Sequence, residues 1–170
     1  MKPRTRPRHI GNREIGALSH VQDHASRELK TVPGRATLAE AGKLMARLNV
    51  GSLLVMARGT IVGIVTDTDL ARKGAGQGLD PATASVRAIM SSPVMAIDGR
   101  RSVEEAQVFM RSRGVRHLGV MDRGKIVGMF TLSDLVRYLS AFATLVPARS
   151  APVTARRPRR RSSDTSSRRS

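Results

Sequence analysis

Residues 21–72 and 86–137 align without a gap at a fixed offset of 65, and 20 of the 52 paired positions are identical. The identities fall where turns, caps or chemistry would need them: Gly34/Gly99, Glu40/Glu105, Met45/Met110, Val50/Val115, Gly59/Gly124, Val62/Val127, Gly63/Gly128, Thr66/Thr131 and Asp69/Asp134. The chain is a duplication. Two copies, each too small to bury its own core well, are expected to pack face to face and not to stack as an open solenoid.

Each copy predicts the same order of elements: strand, helix, strand, strand, helix. Thr37-Leu-Ala-Glu40 and Ser102-Val-Glu-Glu105 read as capping boxes, in which the hydroxyl accepts from the N3 amide and the carboxylate reaches back to the cap. Leu38, Ala41, Leu44, Met45 and Leu48 follow at helical spacing, as do Val103, Ala106, Phe109 and Met110. Asn49 and Gly114 stand where such helices end in a left-handed residue. The runs Leu53–Met56 and Ile61–Val65, and Leu118–Met121 and Ile126–Phe130, read as hairpins turning on Gly59 and Gly124. A short strand is expected before each capping box, at 29–32 and 94–97. A second helix is expected from Thr66 or Thr131, carrying Leu70, or Leu135, Val136 and Leu139, inward. The predicted organisation is a basic segment 1–19, repeat 1 over 20–73, a linker 74–84, repeat 2 over 85–140, and a disordered tail 141–170.

Of the net charge of +17, residues 1–24 carry +3, residues 25–140 carry +7 and residues 141–170 carry +7. The final segment is rich in Arg, Ser and Pro, with little to bury. Residues 147–170 read either as a salt-sensitive contact for nucleic acid, anionic lipid or an acidic partner, or as a solvated tail that aids solubility. The chain has no cysteine, which excludes disulfides and thiolate nucleophiles. With three Phe and one Tyr, it lacks the stacking surfaces of a single-strand binder. No apolar run approaches the length of a membrane span and the N-terminus does not read as a signal peptide, so a cytoplasmic protein is expected.

The element Gly-x-x-Thr-x-x-Asp occurs at Gly63–Asp69 and again at Gly128–Asp134. A helix N-terminus offers free amides and partial positive charge, and Thr66 or Thr131 placed there can join them in holding a phosphate. One turn on, Asp69 or Asp134 can accept from a ribose diol. Together these residues describe a ribonucleotide clamp. The plainer alternative is that Thr caps the helix and Asp complements its dipole.

Val86-Arg-Ala-Ile-Met-Ser-Ser-Pro-Val94, Gly114-Val-Arg-His-Leu-Gly-Val120 and the two Gly-x-x-Thr-x-x-Asp-Leu elements resemble the tandem cystathionine β-synthase (CBS) domain, or Bateman, module in its small stand-alone bacterial form. The resemblance covers roughly residues 20–140. It implies an α+β fold, two β-α-β-β-α repeats packed as a pseudo-two-fold pair, and adenosine nucleotides in the two clefts between them. The site residues it implies are Thr66, Asp69, Thr131 and Asp134, with Arg116 and His117 as ligand-facing candidates. Family members often carry Arg or Lys immediately before the Asp; here Thr68 and Ser133 stand there. Arg72, Lys73, Arg116, His117 and Arg137 are the candidates to replace that cation. His117 reads either as a ligand contact or as a half-exposed histidine. His20 and His24 are four apart, but no third ligand is in view, and no metal site is expected. Unequal ends, His24 and Ala25 against Ile89 and Met90 and no counterpart of Pro93 in repeat 1, predict two clefts of different affinity, or one cleft empty.

The leading expectation is a regulatory module, a homodimer, that senses AMP, ADP, ATP or a related adenosine nucleotide and signals to an effector protein. The alternative is a dimeric scaffold whose Arg-rich tail binds nucleic acid or another acidic partner. An enzyme is not expected, because no base and electrophile converge. No cofactor is required; the adenosine nucleotide is the ligand.

Overall fold

The computed structural model describes residues 19–145. The basic N-terminal segment, Ser19 apart, and residues 146–170 of the Arg-rich tail lie outside the described residues. In repeat 1 the elements are α1 (Val21–His24), β1 (Thr31–Pro33), α2 (Leu38–Leu48), β2 (Ser52–Ala57), β3 (Thr60–Thr66) and α3 (Asp67–Asp69). A π-helical turn at Leu70–Gly74 and 3-10 turns at Ala75–Gln77 and Val86–Ala88 lead to repeat 2. There β4 (Ala96–Asp98), α4 (Val103–Arg113), β5 (His117–Asp122), β6 (Lys125–Thr131) and α5 (Leu132–Leu145) follow.

Each repeat builds a three-stranded sheet, in the order β1-β2-β3 and β4-β5-β6, with the first pair parallel and the second antiparallel. Both expected capping boxes form: Glu40 N–H donates to Thr37 Oγ1 at 3.2 Å and Glu105 N–H to Ser102 Oγ at 3.1 Å, with the carboxylates returning to the cap amides. Asn49 and Gly114 close the helices with φ of 52° and 63°. The hairpins turn through pairs of left-handed residues, Arg58-Gly59 and Arg123-Gly124, the geometry that matches the twist of the flanking strands.

Three expectations need correction. The leading strands begin later than expected, because pairing with β2 starts where Leu54 N–H meets Lys30 O at 2.9 Å; Leu29 and Val94 pack instead against the core between the repeats. On α5 the buried stripe is Leu135 and Tyr138, at 5% and 8% exposure, whereas Val136 and Leu139 are 54% and 45% exposed. Leu135, Val136 and Leu139 lie within about 100° of one another on a helix, and the side that packs is the neighbouring one, through Leu135 and Tyr138. The second helices are also unlike: Gly74, Gly76 and Gly78 break the first into irregular turns, while α5 continues to Leu145, past the expected edge of the repeat.

The repeats exchange their leading segments. Val21 belongs to the core of repeat 2, with Val103, Ala106, Leu118 and Phe130, while Val86 and Ile89 belong to that of repeat 1, with Leu38, Ala41, Leu53 and Val65. Ser26 and Met129 exchange both backbone hydrogen bonds at 2.9 Å, and Ser91 and Ile64 do the same at 2.8 and 3.0 Å. The crossing is close. A Cβ on Gly63 would stand 2.8 Å from Ser91 O, and one on Gly128 would stand 2.9 Å from Ser26 O. These identical glycines are therefore required by the approach of a foreign backbone. Leu54, Ile64 and Met129 form a third core where the repeats meet, and the reciprocal exchange gives the pair its pseudo-two-fold relation.

Candidate ligand cleft

The second helix of each repeat starts in a Thr-x-x-Asp cap. In repeat 2 the Thr131 N–H and hydroxyl both donate to Asp134 Oδ2, at 2.9 and 2.7 Å, and Asp134 N–H donates to Thr131 Oγ1 at 3.3 Å. Repeat 1 has the same cap, with distances of 3.0, 2.7 and 3.1 Å between Thr66 and Asp69. A hydroxyl has one proton to give, and both threonines give it to the aspartate. The expected bond from threonine to a phosphate is therefore not available in this arrangement. What each aspartate keeps outside the cap is Oδ1.

The repeats differ at that atom. Asp134 Oδ1 accepts from Arg137 Nη1 at 3.1 Å, and the Arg137 side chain is 75% exposed. Asp69 Oδ1 faces Lys73 Nζ at 2.7 Å, and the same ammonium donates to Ile89 O at 3.1 Å and Ser91 Oγ at 3.3 Å. Burial pushes the Asp69 carboxyl up, but the bonds from Lys73 and Thr66 outweigh it and hold the group below its ordinary value.

A cleft of about 700 Å³ opens at the first turn of α5, between the repeats. That volume lies in the range that takes small ligands. Thr131, Asp134, Arg116 and His117 line it; Thr66 and Asp69 do not. Leu132, Ser133 and Asp134 bring the N-terminal turn of a 14-residue helix, with its partial positive charge, to the cleft; the Leu132 amide is taken by Arg116 O at 2.9 Å and that of Asp134 by Thr131 Oγ1. Its apolar lining is Val50, Leu54, Met129, Leu132 and Val136. Lys30, Arg116 and Arg137 supply cations, of which Lys30 is paired with Glu28 and Arg116 donates from Nη2 to Thr68 Oγ1 at 2.6 Å. Of the candidate replacement cations, the cleft thus takes Arg116 and Arg137, while Lys73 turns to Asp69.

His117 opens β5, opposite Thr131 in the ladder. Burial pushes its imidazole below the ordinary value and Arg116 adds to this, against the opposing pull of Asp67, Asp69 and Asp134. It is neutral near pH 7, a hydrogen-bonding group there and not a cation. His24 does not join His20: its Nε2 lies 2.6 Å from Ser19 Oγ and its ring meets Tyr138 edge-on at 4.9 Å. Among the described residues no group of three or more His, Asp or Glu side chains is arranged for a metal.

Reading the sequence overlooked Lys30, Ser26 and Asn49, which reach the cleft from repeat 1. Only Ser26 left a trace, as an identity with Ser91 at the repeat offset. Lys30 aligns with Met95 and gave no signal.

The comparisons with known proteins agree with this architecture. The CBS domain family model matches residues 21–76 and 86–141. The chain is 33% identical over 118 residues to the CBS domain-containing protein YhcV of Bacillus subtilis, covering 69% of this chain and 84% of that protein. It superimposes with a TM-score of 0.66, at 35% identity, on a CBS-domain structure from Burkholderia ambifaria MC40-6 described as a candidate signal-transduction protein, covering 68% of this chain and 85% of that one. A hexameric CBS-CP12 protein from bloom-forming cyanobacteria matches with a TM-score of 0.65 at 30% identity, over 70% and 67% of the two chains. With both repeats matched and each cap, turn and exchange accounted for, the chain belongs to the CBS-domain family of regulatory modules, in its tandem form.

Proposed function

We propose that this tandem module senses adenine nucleotide, bound as a single ribonucleotide in the cleft at the first turn of α5, and passes occupancy to a partner protein. The observation that carries this reading is the position of Asp134: it lines a cleft that apolar and cationic side chains also line, and its Oδ1 lies outside the helix cap, shared with one exposed arginine. The purine lies against Leu54, Met129 and Val136. The ribose diol donates to Asp134 Oδ1 and displaces Arg137, whose exposed pairing contributes little. Phosphate meets Arg116, Lys30 and the hydroxyl and amide of Ser133 at the start of α5 in place of the threonine hydroxyl.

Binding shifts a partner equilibrium only by its differential affinity for two states. Self-association, of the kind named for the hexameric CBS-CP12 protein, would cover the exposed stripe of Leu132, Val136 and Leu139 on α5. Leu132 and Val136 also line the cleft, so a ligand there touches the surface a second copy would use.

A thermal-shift screen of the full chain against AMP, ADP and ATP tests the reading, each variant being compared with its own ligand-free midpoint. At a hundred times its dissociation constant a ligand adds about 2.7 kcal/mol. Wild type and Asp69→Ala are expected to shift by several degrees with at least one of the three, and Asp134→Ala not at all. No shift in wild type, or an undiminished shift in Asp134→Ala, would contradict it.

A further inference from the structure

The duplication allows each atom of the open cleft to be compared with its counterpart in the other repeat. At the position of Ser26 and Asp134, which line the open cleft, the other side of the pseudo-two-fold has Ser91 and Asp69. Between those two counterparts stands the Lys73 ammonium, 2.7 Å from Asp69 Oδ1 and 3.3 Å from Ser91 Oγ, with a third bond to Ile89 O at 3.1 Å. Three acceptors around one ammonium satisfy its three donors. The residue aligned with Lys73 is Tyr138, which is buried and donates its hydroxyl to Glu104 Oε1 at 3.0 Å.

A second contact has the same sense. Arg116 reaches across the pseudo-axis to Thr68 at 2.6 Å, the counterpart of Ser133. Its own counterpart is Gly51, which leaves Ser133 without such an arginine. Two of the substitutions that distinguish the repeats at this place, Lys for Tyr and Arg for Gly, put a cation near the helix start of repeat 1, and a third, Asp67 for Leu132, puts a carboxylate there.

We propose that Lys73 is a built-in occupant of the second cleft: its ammonium holds the one carboxylate oxygen that a ribose diol would need, so the module takes one nucleotide per chain where its fold offers two places. This rests on the nucleotide reading above, and it adds that the Thr66/Asp69 clamp is closed from within. Asp69 is held as the ionised partner of that ammonium, in keeping with its lowered pKa. The contact also fastens the exchanged segment at Ile89–Ser91 to repeat 1, so releasing Lys73 frees the clamp and loosens that crossing together.

Two measurements on the full chain test this. Acetylation of lysines with an N-hydroxysuccinimide ester, followed by mass spectrometry, should modify Lys73 more slowly than exposed Lys43 and Lys125, and Asp69→Ala should remove that protection; equal rates in wild type would overturn the contact. Equilibrium dialysis with AMP should then give a single AMP per wild-type chain. Lys73→Met or Lys73→Gln should add a second, and Asp69→Ala in either background should remove it. Two AMP per wild-type chain, or no second AMP in either folded variant, would overturn the proposal. Slow acetylation of Lys73 with no AMP bound by any form would instead overturn the nucleotide reading and leave the internal contact standing.

Discussion

At the scale of single residues, the cleft depends on what each polar atom has already been given to do. Thr131 and Thr66 spend their protons on capping, so the aspartates keep one oxygen each, and a neighbouring cation decides whether that oxygen is reachable. His117 shows the same dependence on surroundings. Its pKa is lowered in the folded chain, so as pH falls the unfolded chain takes up the proton first, and stability is lost from about the ordinary histidine value near 6.5 downward until the folded value is reached. His117→Gln lacks this loss. The stability of wild type relative to His117→Gln should therefore fall between about pH 7 and pH 5 in thermal melts; parallel curves would contradict the assignment. From sequence, His117 could be seen as a candidate but its charge could not, because burial and the facing carboxylates come from several elements.

Among the elements, those specified by local chemistry were the ones legible in advance. Thr37 and Glu40 or Ser102 and Glu105 mark a helix start within four residues, and Arg-Gly at each hairpin tip satisfies a turn that needs two left-handed residues. The exposed side of α5 was misread because Leu135, Val136 and Leu139 are equally apolar, and only the contact of Tyr138 with α1 and α4 fixes the buried side. Gly63 and Gly128 stood out as identities, yet their reason lies in another repeat's backbone. Gly128→Val, with its Cβ 2.9 Å from Ser26 O, should cost on the order of 2 kcal/mol and lower the melting midpoint by roughly 4–8 °C. Gly42→Ala, whose Cβ would meet nothing closer than 3.7 Å inside α2, should stabilise by about 0.5–1 kcal/mol. Equal effects would mean that the crossing is looser than described.

For the whole molecule, duplication and exchange create one site that neither repeat contains. The fold class and pairing were legible because the offset of 65 recurs through caps, turns and cores. The site was half legible: the sequence marks two equivalent Thr-x-x-Asp elements, and the structure sets one at a cleft and pairs the other with Lys73, which also bonds a residue 16 positions away. The nucleotide is proposed to enter the cleft between the repeats at α5, and methyl NMR of the full chain titrated with AMP reads that placement. Saturable shifts are expected at Leu54, Met129, Leu132 and Val136, largest at Leu132 and Val136, with Met95 of the counterpart cleft unmoved and Ile64, packed on Leu54 and Met129, moving less than either. Shifts centred on Ile64 and Met95, or none at any methyl, would contradict it.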